Sequence, residues 1–251
     1  MFFQPTSASN TSLFSSVPTR TSLWAALTLS LGLIQGCGGG GGGNDTTPEP
    51  VKPSSYDLQA TMSQYYTKAQ SWSLSGTVGA VPVSAVLSVA PKTGTAVFPV
   101  NGKAYTYTQQ EMKLTVNGQT TNTMGELFFD ATVMQTEAVS ARSDDTCEQA
   151  QTKGSFSRAA KVGDSGANGS GFEYVSCAPG AAVEANYVDT WQLKEEGGRV
   201  LLCLNRSSKV VASGFTRVGS QCHQVLADGS LGPFMSLSLI TEDGTLSMKT
   251  L

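Results

Sequence analysis

The 251 residues predict an all-β protein: an antiparallel meander forming a sandwich or barrel, preceded by one short helix. Three observations carry that expectation. Apolar and polar residues alternate with a period of two through much of the chain after residue 70, as in strands with one buried face. Asn-Gly, Gly-Gly and Asp-Gly pairs punctuate the alternation at hairpin spacing. No segment shows the strand–helix–strand spacing of a parallel sheet.

The helix is expected over Ser55–Tyr66. Ser54 or Ser55 can cap it, Asp57 suits its first turn, and Leu58, Met62 and Tyr65/Tyr66 recur on one face. Its expected role is to plug one end of the β-structure. Trp72 and Leu74 then alternate with serines, and Gly79-Ala80 can turn the chain. Val81, Val83, Ala85, Leu87 and Val89 share one face. Pro82 lacks an amide hydrogen, which suggests an edge strand or a bulge. Asn101-Gly102 lies between Ala96–Val100 and Lys103–Thr108. Asn117-Gly118 lies between Met112/Leu114/Val116 and a strand ending at Phe129. Both pairs suit type I′ turns, whose two positive φ angles match the twist of the strands they join.

Ala138–Gly171 breaks the pattern with Asp144-Asp145, Gly163–Gly166 and Asn168–Gly171, and reads as a long polar excursion in which Phe156 marks a short strand. Strands resume at Phe172–Cys177 and Tyr187–Lys194, followed by a Gly-Gly turn at Glu195–Arg199 into Val200–Leu204. Val210–Val211, Gln221–Leu226 and Phe234–Ile240 come next, and Asp243-Gly244 turns into Thr245–Met248. Residues 55–137 and 138–251 form either one domain or two.

The four cysteines Cys147, Cys177, Cys203 and Cys222 sit at intervals of 29, 25 and 18 residues. These are not the close pairs of a zinc site, so two disulfides are expected. Of three possible pairings, Cys147–Cys177 and Cys203–Cys222 are favoured because sequential pairs staple loops within one half. Each would contribute about 3–4 kcal/mol by loop-closure entropy.

Catalytic signals are sparse. Gly163-Asp164-Ser165-Gly166 resembles the nucleophile segment of trypsin-like proteases and the GDS block of SGNH-type esterases. No histidine precedes Ser165, however, and Ser220 stands where the esterase pattern needs its aspartate before His223. His223 is the sole histidine, which excludes two-histidine metal sites. It is expected as a partly buried or surface residue beside a disulfide. Asp144, Asp145 and Glu148 cluster, as do Glu195 and Glu196, and each group reads as a solvated loop. Asp144, Asp145 and Asp164 lack the spacing of a calcium loop. Tyr65, Tyr66, Tyr105 and Tyr107 could stack on a ligand from an outward face, but such residues more often complete a core edge. No cofactor or metal is expected. The functional expectation is a non-enzymatic binding or structural domain, with an envelope hydrolase using the 138–171 region as the alternative.

The N-terminal segment gives the protein's address. Arg20 precedes the apolar run Leu23–Ile34, 12 residues long, and Ile34-Gln35-Gly36-Cys37 follows. A helix of that length rises about 18 Å, short of the roughly 30 Å hydrocarbon core of a bilayer. Basic flank, short apolar run and small residue before a cut site are the layout of a secretory signal. Residues 20–37 resemble a bacterial lipoprotein signal with its lipobox. The resemblance implies that residues 1–36 are removed and that Cys37 is acylated, carrying three chains in a Gram-negative organism, palmitate among them. A start nearer Val17 would give the signal a conventional short basic region. The glycine after Cys37, in place of a retaining aspartate, implies the outer membrane, on its periplasmic or outer face.

Residues 37–54 then read as a lipidated cysteine with a Gly/Pro-rich tether. Gly38–Pro53 spans on the order of 20–25 Å as a random chain. Two or more acyl chains give lasting attachment at roughly 0.8 kcal/mol per buried CH₂, so the expected partner is the membrane. Beyond the signal, 15 Lys+Arg stand against 19 Asp+Glu with signs interspersed, and no nucleic-acid partner is expected.

Overall fold

A computed structural model describes residues 53–141, 145–242 and 244–250. Cys37, the 1–36 signal segment and the tether as far as residue 52 lie outside the described residues, as do Asp144 and Asp243.

One helix, α1 (Leu58–Thr67), leads into twelve strands. The first five are β1 (Gln70–Val78), β2 (Val81–Val97), β3 (Ala104–Val116), β4 (Gln119–Asp130) and β5 (Gln135–Ala141). Next come β6 (Thr146–Lys153), β7 (Ser165–Tyr174), β8 (Val183–Glu196) and β9 (Arg199–Val210). The last three are β10 (Thr216–Val225), β11 (Leu231–Thr241) and β12 (Gly244–Thr250). Each strand pairs antiparallel with the next, and β12 returns to β1, so the sheet closes into a barrel of meander order. Closure decides between sandwich and barrel. Both halves of the chain share this one sheet, and residues 137 and 138 both lie within β5.

The alternation set by the sequence points its apolar members inward. Trp72 and Leu74 on β1, Val83, Ala85, Leu87 and Val89 on β2, and Leu246 and Met248 on β12 join one buried core. Ser71, Ser73, Ser84, Ser238 and Ser247 lie between them on the exposed side. A barrel of this many strands leaves a lumen that wall side chains alone do not fill. Here α1 fills one end of it. Tyr66 stacks on Phe129 with ring centroids 4.6 Å apart, and Tyr65 meets Trp72 at 6.3 Å.

The helix begins later than expected. Asp57 is its cap, accepting the Ala60 amide at 2.9 Å, because its short carboxylate reaches an N–H that the first turn leaves unpaired. Three hairpin loops hold α1 in place. Leu58 N donates to Ser157 O at 2.9 Å, Gln59 Nε2 to Thr132 O at 2.8 Å, and Thr61 Oγ1 to Gly229 O at 2.8 Å.

Several turns follow the expected chemistry and one does not. Asn117 and Gly118 adopt φ of 50° and 76°, and Gly197 and Gly198 adopt 58° and 74°, so both pairs turn as expected. At Asn101-Gly102 only the glycine has positive φ, and the connection is the longer loop 98–103. Asn101 Oδ1 accepts the Lys103 amide at 2.9 Å, and Phe98 is fully buried, which anchors the wider turn. Pro82 marks neither an edge nor a bulge. It pairs with Thr77 on β1. Pairing with β3 begins only at Val83, so the ladder on that side never asks Pro82 for an amide hydrogen.

The largest correction concerns residues 138–171. Their described residues form most of β5, then β6 and much of β7, and the loop 154–164 joins β6 to β7. Phe156 belongs to that loop, not to a strand, and is buried in the main core. Two of the glycines that suggested a loop, Gly166 and Gly171, serve close packing within β7 instead, while Gly163 does lie in the loop, with φ of 102°. A Cβ on Gly166 would stand 2.8 Å from the Trp191 indole, and one on Gly171 would meet the Gln149 carbonyl and lie 2.6 Å from the Tyr187 hydroxyl.

Two small apolar clusters cover the outside of the barrel. In one, Tyr105 and Tyr107 pack on Phe128 beside the Cys147–Cys177 disulfide. In the other, Cys203–Cys222 bridges β9 and β10 beneath Phe234. Both sulfur pairs stand at bonding distance in the favoured pairing. No helix among the described residues is long and apolar enough to cross a membrane.

Candidate functional site

Inside the barrel, the wall built from β6 to β10 carries charge. On β9 the inward positions run Val200, Leu202, Leu204 and then Arg206 and Ser208. On β8 they run Leu193, Trp191 and then Asp189, Tyr187 and Ala185. Asp189 lies directly opposite Arg206 in the β8–β9 register. Its two oxygens accept from Arg206 Nε and Nη2, each at 2.8 Å, a fork-on-fork pair. Arg206 Nη1 donates to Glu148 Oε2 at 2.6 Å and stands 3.8 Å from Glu173 Oε1. The guanidinium lies over the Tyr187 ring, 4.1 Å from its centroid. Gly171, opposite Tyr187, gives that ring its room.

A second guanidinium extends the cluster. Arg217 donates to Glu173 Oε2 at 2.5 Å and to Glu184 Oε1 at 3.2 Å. Ser208 Oγ donates to Glu173 Oε1 at 2.8 Å. Four carboxylates thus share two guanidiniums. The side chain of Arg206 keeps 2 % of its surface, Glu173 7 %, Glu148 15 % and Asp189 16 %. Burial makes these pairs costly to break, because a stranded charge recovers little hydration.

Burial raises the Glu148 carboxyl above the usual glutamate range. Arg206 opposes the rise, and the Glu173 and Asp189 charges add to it. The remaining exposure of Glu148 tempers the effect. Glu148 and Glu173 are directly opposed across β6 and β7, where like charges ordinarily repel. Arg206 stays charged: its pairing with Asp189 and Glu148 outweighs desolvation and raises its affinity for its proton. Burial likewise raises the Tyr187 hydroxyl well above its ordinary value.

Nearer α1, a cavity of about 20 Å³ lies among Tyr65, Tyr66, Thr136, Asn168 and Asp189. That is room for about one water molecule. Tyr66 OH and Thr136 Oγ1 are 2.7 Å apart at its edge.

The residues singled out from sequence do not converge. Ser165 is exposed at the start of β7, paired with Gln192. Asp164 spends one carboxylate oxygen on the Lys161 amide at 2.8 Å. His223 is neither at the surface nor turned toward the disulfide. Cys222 points outward, while His223 points into the core with 2 % of its surface exposed. Gln221 Nε2 lies 2.7 Å from His223 Nε2, and the Tyr65 and Trp72 rings centre 5.3 and 4.8 Å away. Burial pushes its imidazole down to about 3, so the ring is neutral. Glu148, expected in a solvated loop, lies inside the barrel on β6. Glu196 remains at the surface, where Lys194 at 2.7 Å holds its carboxyl below the usual range. Tyr65 and Tyr66 are core residues, and burial lifts the Tyr65 hydroxyl to about 12.

Arg206, Asp189, Glu173, Glu184 and Arg217 escaped sequence reading. The signal was present: the inward alternation of Val200, Leu202 and Leu204 continues to Arg206. An arginine where the pattern demands an apolar residue needs buried acidic partners. Among the described residues no group of three or more His, Cys, Asp or Glu side chains is arranged to hold a metal ion. Compared with known proteins, the chain matches no family model, no curated protein and no solved structure.

Proposed function

We propose that this chain is an outer-membrane lipoprotein, anchored through acyl chains on Cys37, whose barrel is a non-enzymatic binding or structural body acting through its outer surface. One observation carries the second half of that reading: α1 and the aromatic core occupy the lumen, and the charged groups beside them are spent on one another. A lumen in that condition offers little to a substrate. The exposed hydroxyl of Ser165 and the buried imidazole of His223 speak against a hydrolase built on the 138–171 region. The outward serines of β1, β2, β11 and β12 favour a body standing in water, since a lipid-spanning barrel carries an apolar outer band. The lipobox resemblance supports the anchor.

Fractionation of cells carrying wild-type protein or Cys37→Ser tests the anchor. Wild-type protein is expected with the outer membrane, labelled by radioactive palmitate, and the variant in the soluble fraction. A variant that stays wholly with the membranes refutes it. A fluorophosphonate probe tests the rest: no label is expected at Ser165, and labelling abolished by Ser165→Ala would establish the hydrolase.

A further inference from the structure

We propose that the charged interior is a proton-uptake site, in which Glu148 takes a proton from solvent in mildly acidic conditions and the barrel tightens as a result. The inference rests on how the groups are placed. Glu173 on β7 stands opposite Glu148, and Arg206 on β9 pairs with Glu148; Asp189 on β8 shares Arg206, the Tyr187 ring lies against that guanidinium, and Arg217 on β10 with Glu184 on β8 joins the cluster through Glu173. From α1, Tyr66 approaches Asp189 but carries no charge near neutrality. Among the described residues the cluster sets two guanidinium groups against four carboxyl groups.

The four carboxylates are not equally held. Asp189 has the bidentate grip of Arg206. Glu173 has Arg217, Ser208 and a longer approach to Arg206. Glu184 is the most exposed of the four at 29 % and pairs with Arg217. Among the described residues Glu148 has a single ion pair, through Oε2, and it faces Glu173 directly across the β6–β7 ladder. A proton added to the cluster therefore goes to Glu148. It relieves the repulsion from Glu173 and leaves the Asp189–Arg206 and Glu173–Arg217 pairs intact. The exposed part of Glu148, 15 % of its side chain, gives the proton a route from water. The mechanical lever is β6, which among the described residues joins β5 through four register pairs, Ala138–Gln149 to Ala141–Thr146. Easing the charge conflict on its inner face strengthens the wall where, among the described residues, backbone pairing is shortest.

The raised affinity of Glu148 for its proton has the matching sign. The folded chain binds this proton more tightly than the unfolded one, so stability from this group rises as pH falls through the folded value. The gain is complete below the ordinary value of 4.5. His223 drifts the opposite way over part of that range, so the test is a difference between two proteins. Chemical unfolding of wild type and Glu148→Gln is followed from about pH 8 down to about pH 5. The ratio of their unfolding constants is expected to change in favour of wild type, by up to tenfold per pH unit within the window. Curves that stay parallel throughout overturn the proposal. Should Glu148→Gln fail to fold, the wild-type Glu148 carboxyl is titrated directly by carbon-13 NMR. A midpoint above the ordinary value of 4.5 supports the site, and one at or below it refutes it.

Discussion

His223 offers the sharpest test of the packing, because its imidazole is the only one in the chain and sits among Tyr65, Trp72, Gln221 and Met235 with 2 % of its surface exposed. Folding carries its proton affinity from the ordinary 6.5 down to about 3 through loss of hydration. The amide of Gln221 adds a geometric reason: it donates toward Nε2, and a protonated ring would oppose one N–H to another. The unfolded chain therefore binds this proton first. Stability supplied by the neutral ring is complete above 6.5 and is lost as pH falls toward about 3. At about 1.4 kcal/mol per pH unit, acidification from pH 7 to 5 costs about 2 kcal/mol, and the whole descent about 5. His223→Phe removes the titration and keeps a planar ring in the slot. Urea unfolding of both proteins across this range, read by circular dichroism, should show the variant losing about 2 kcal/mol less than wild type between pH 7 and 5. Other titrating groups cancel in the difference. Identical pH slopes would mean that His223 is hydrated in the folded state, and the tight core around it would be wrong.

Two further outcomes follow from the packing. Arg206→Met strands Asp189, Glu148 and Glu173 without their shared cation and should destabilise the barrel by about 3–5 kcal/mol at pH 7; a thermal melt unchanged from wild type would contradict the network. Gly171→Ala drives a methyl group toward the Gln149 carbonyl and the Tyr187 ring. Its expected cost is about 1–3 kcal/mol in denaturant unfolding, with the Tyr187 ring displaced from Arg206.

Much of the barrel was legible because its two determinants are local. Period-two alternation fixed which residues of β1, β2, β11 and β12 face inward, and Asn117-Gly118 and Gly197-Gly198 fixed their turns through backbone sterics. The stretch from Ala138 to Gly171 was misread for a physical reason. Its inward side meets Arg206 and the large rings of Trp191 and Tyr187, so it needs Glu148 and glycines where a strand facing an apolar core needs valines. Polar and small residues look like a loop until their partners, 17 to 58 positions away in the contacts of Arg206, are in place. The same distance hid the charged cluster. Which carboxylate meets which guanidinium depends on strand register, and no local pattern encodes that.

Because β12 seals against β1, the first and last strands of the sheet depend on each other across nearly the whole described chain. Until Gly244–Thr250 arrives, β1 and β11 each present an unsatisfied backbone ladder, the template on which polypeptides stick to one another. A chain emerging N-terminus first must therefore wait for its final seven-residue strand before either seam is safe. Its vulnerable interval lasts as long as its own delivery, and a helper that shields bare strand rims in that interval would govern its yield more than any single contact in the finished wall.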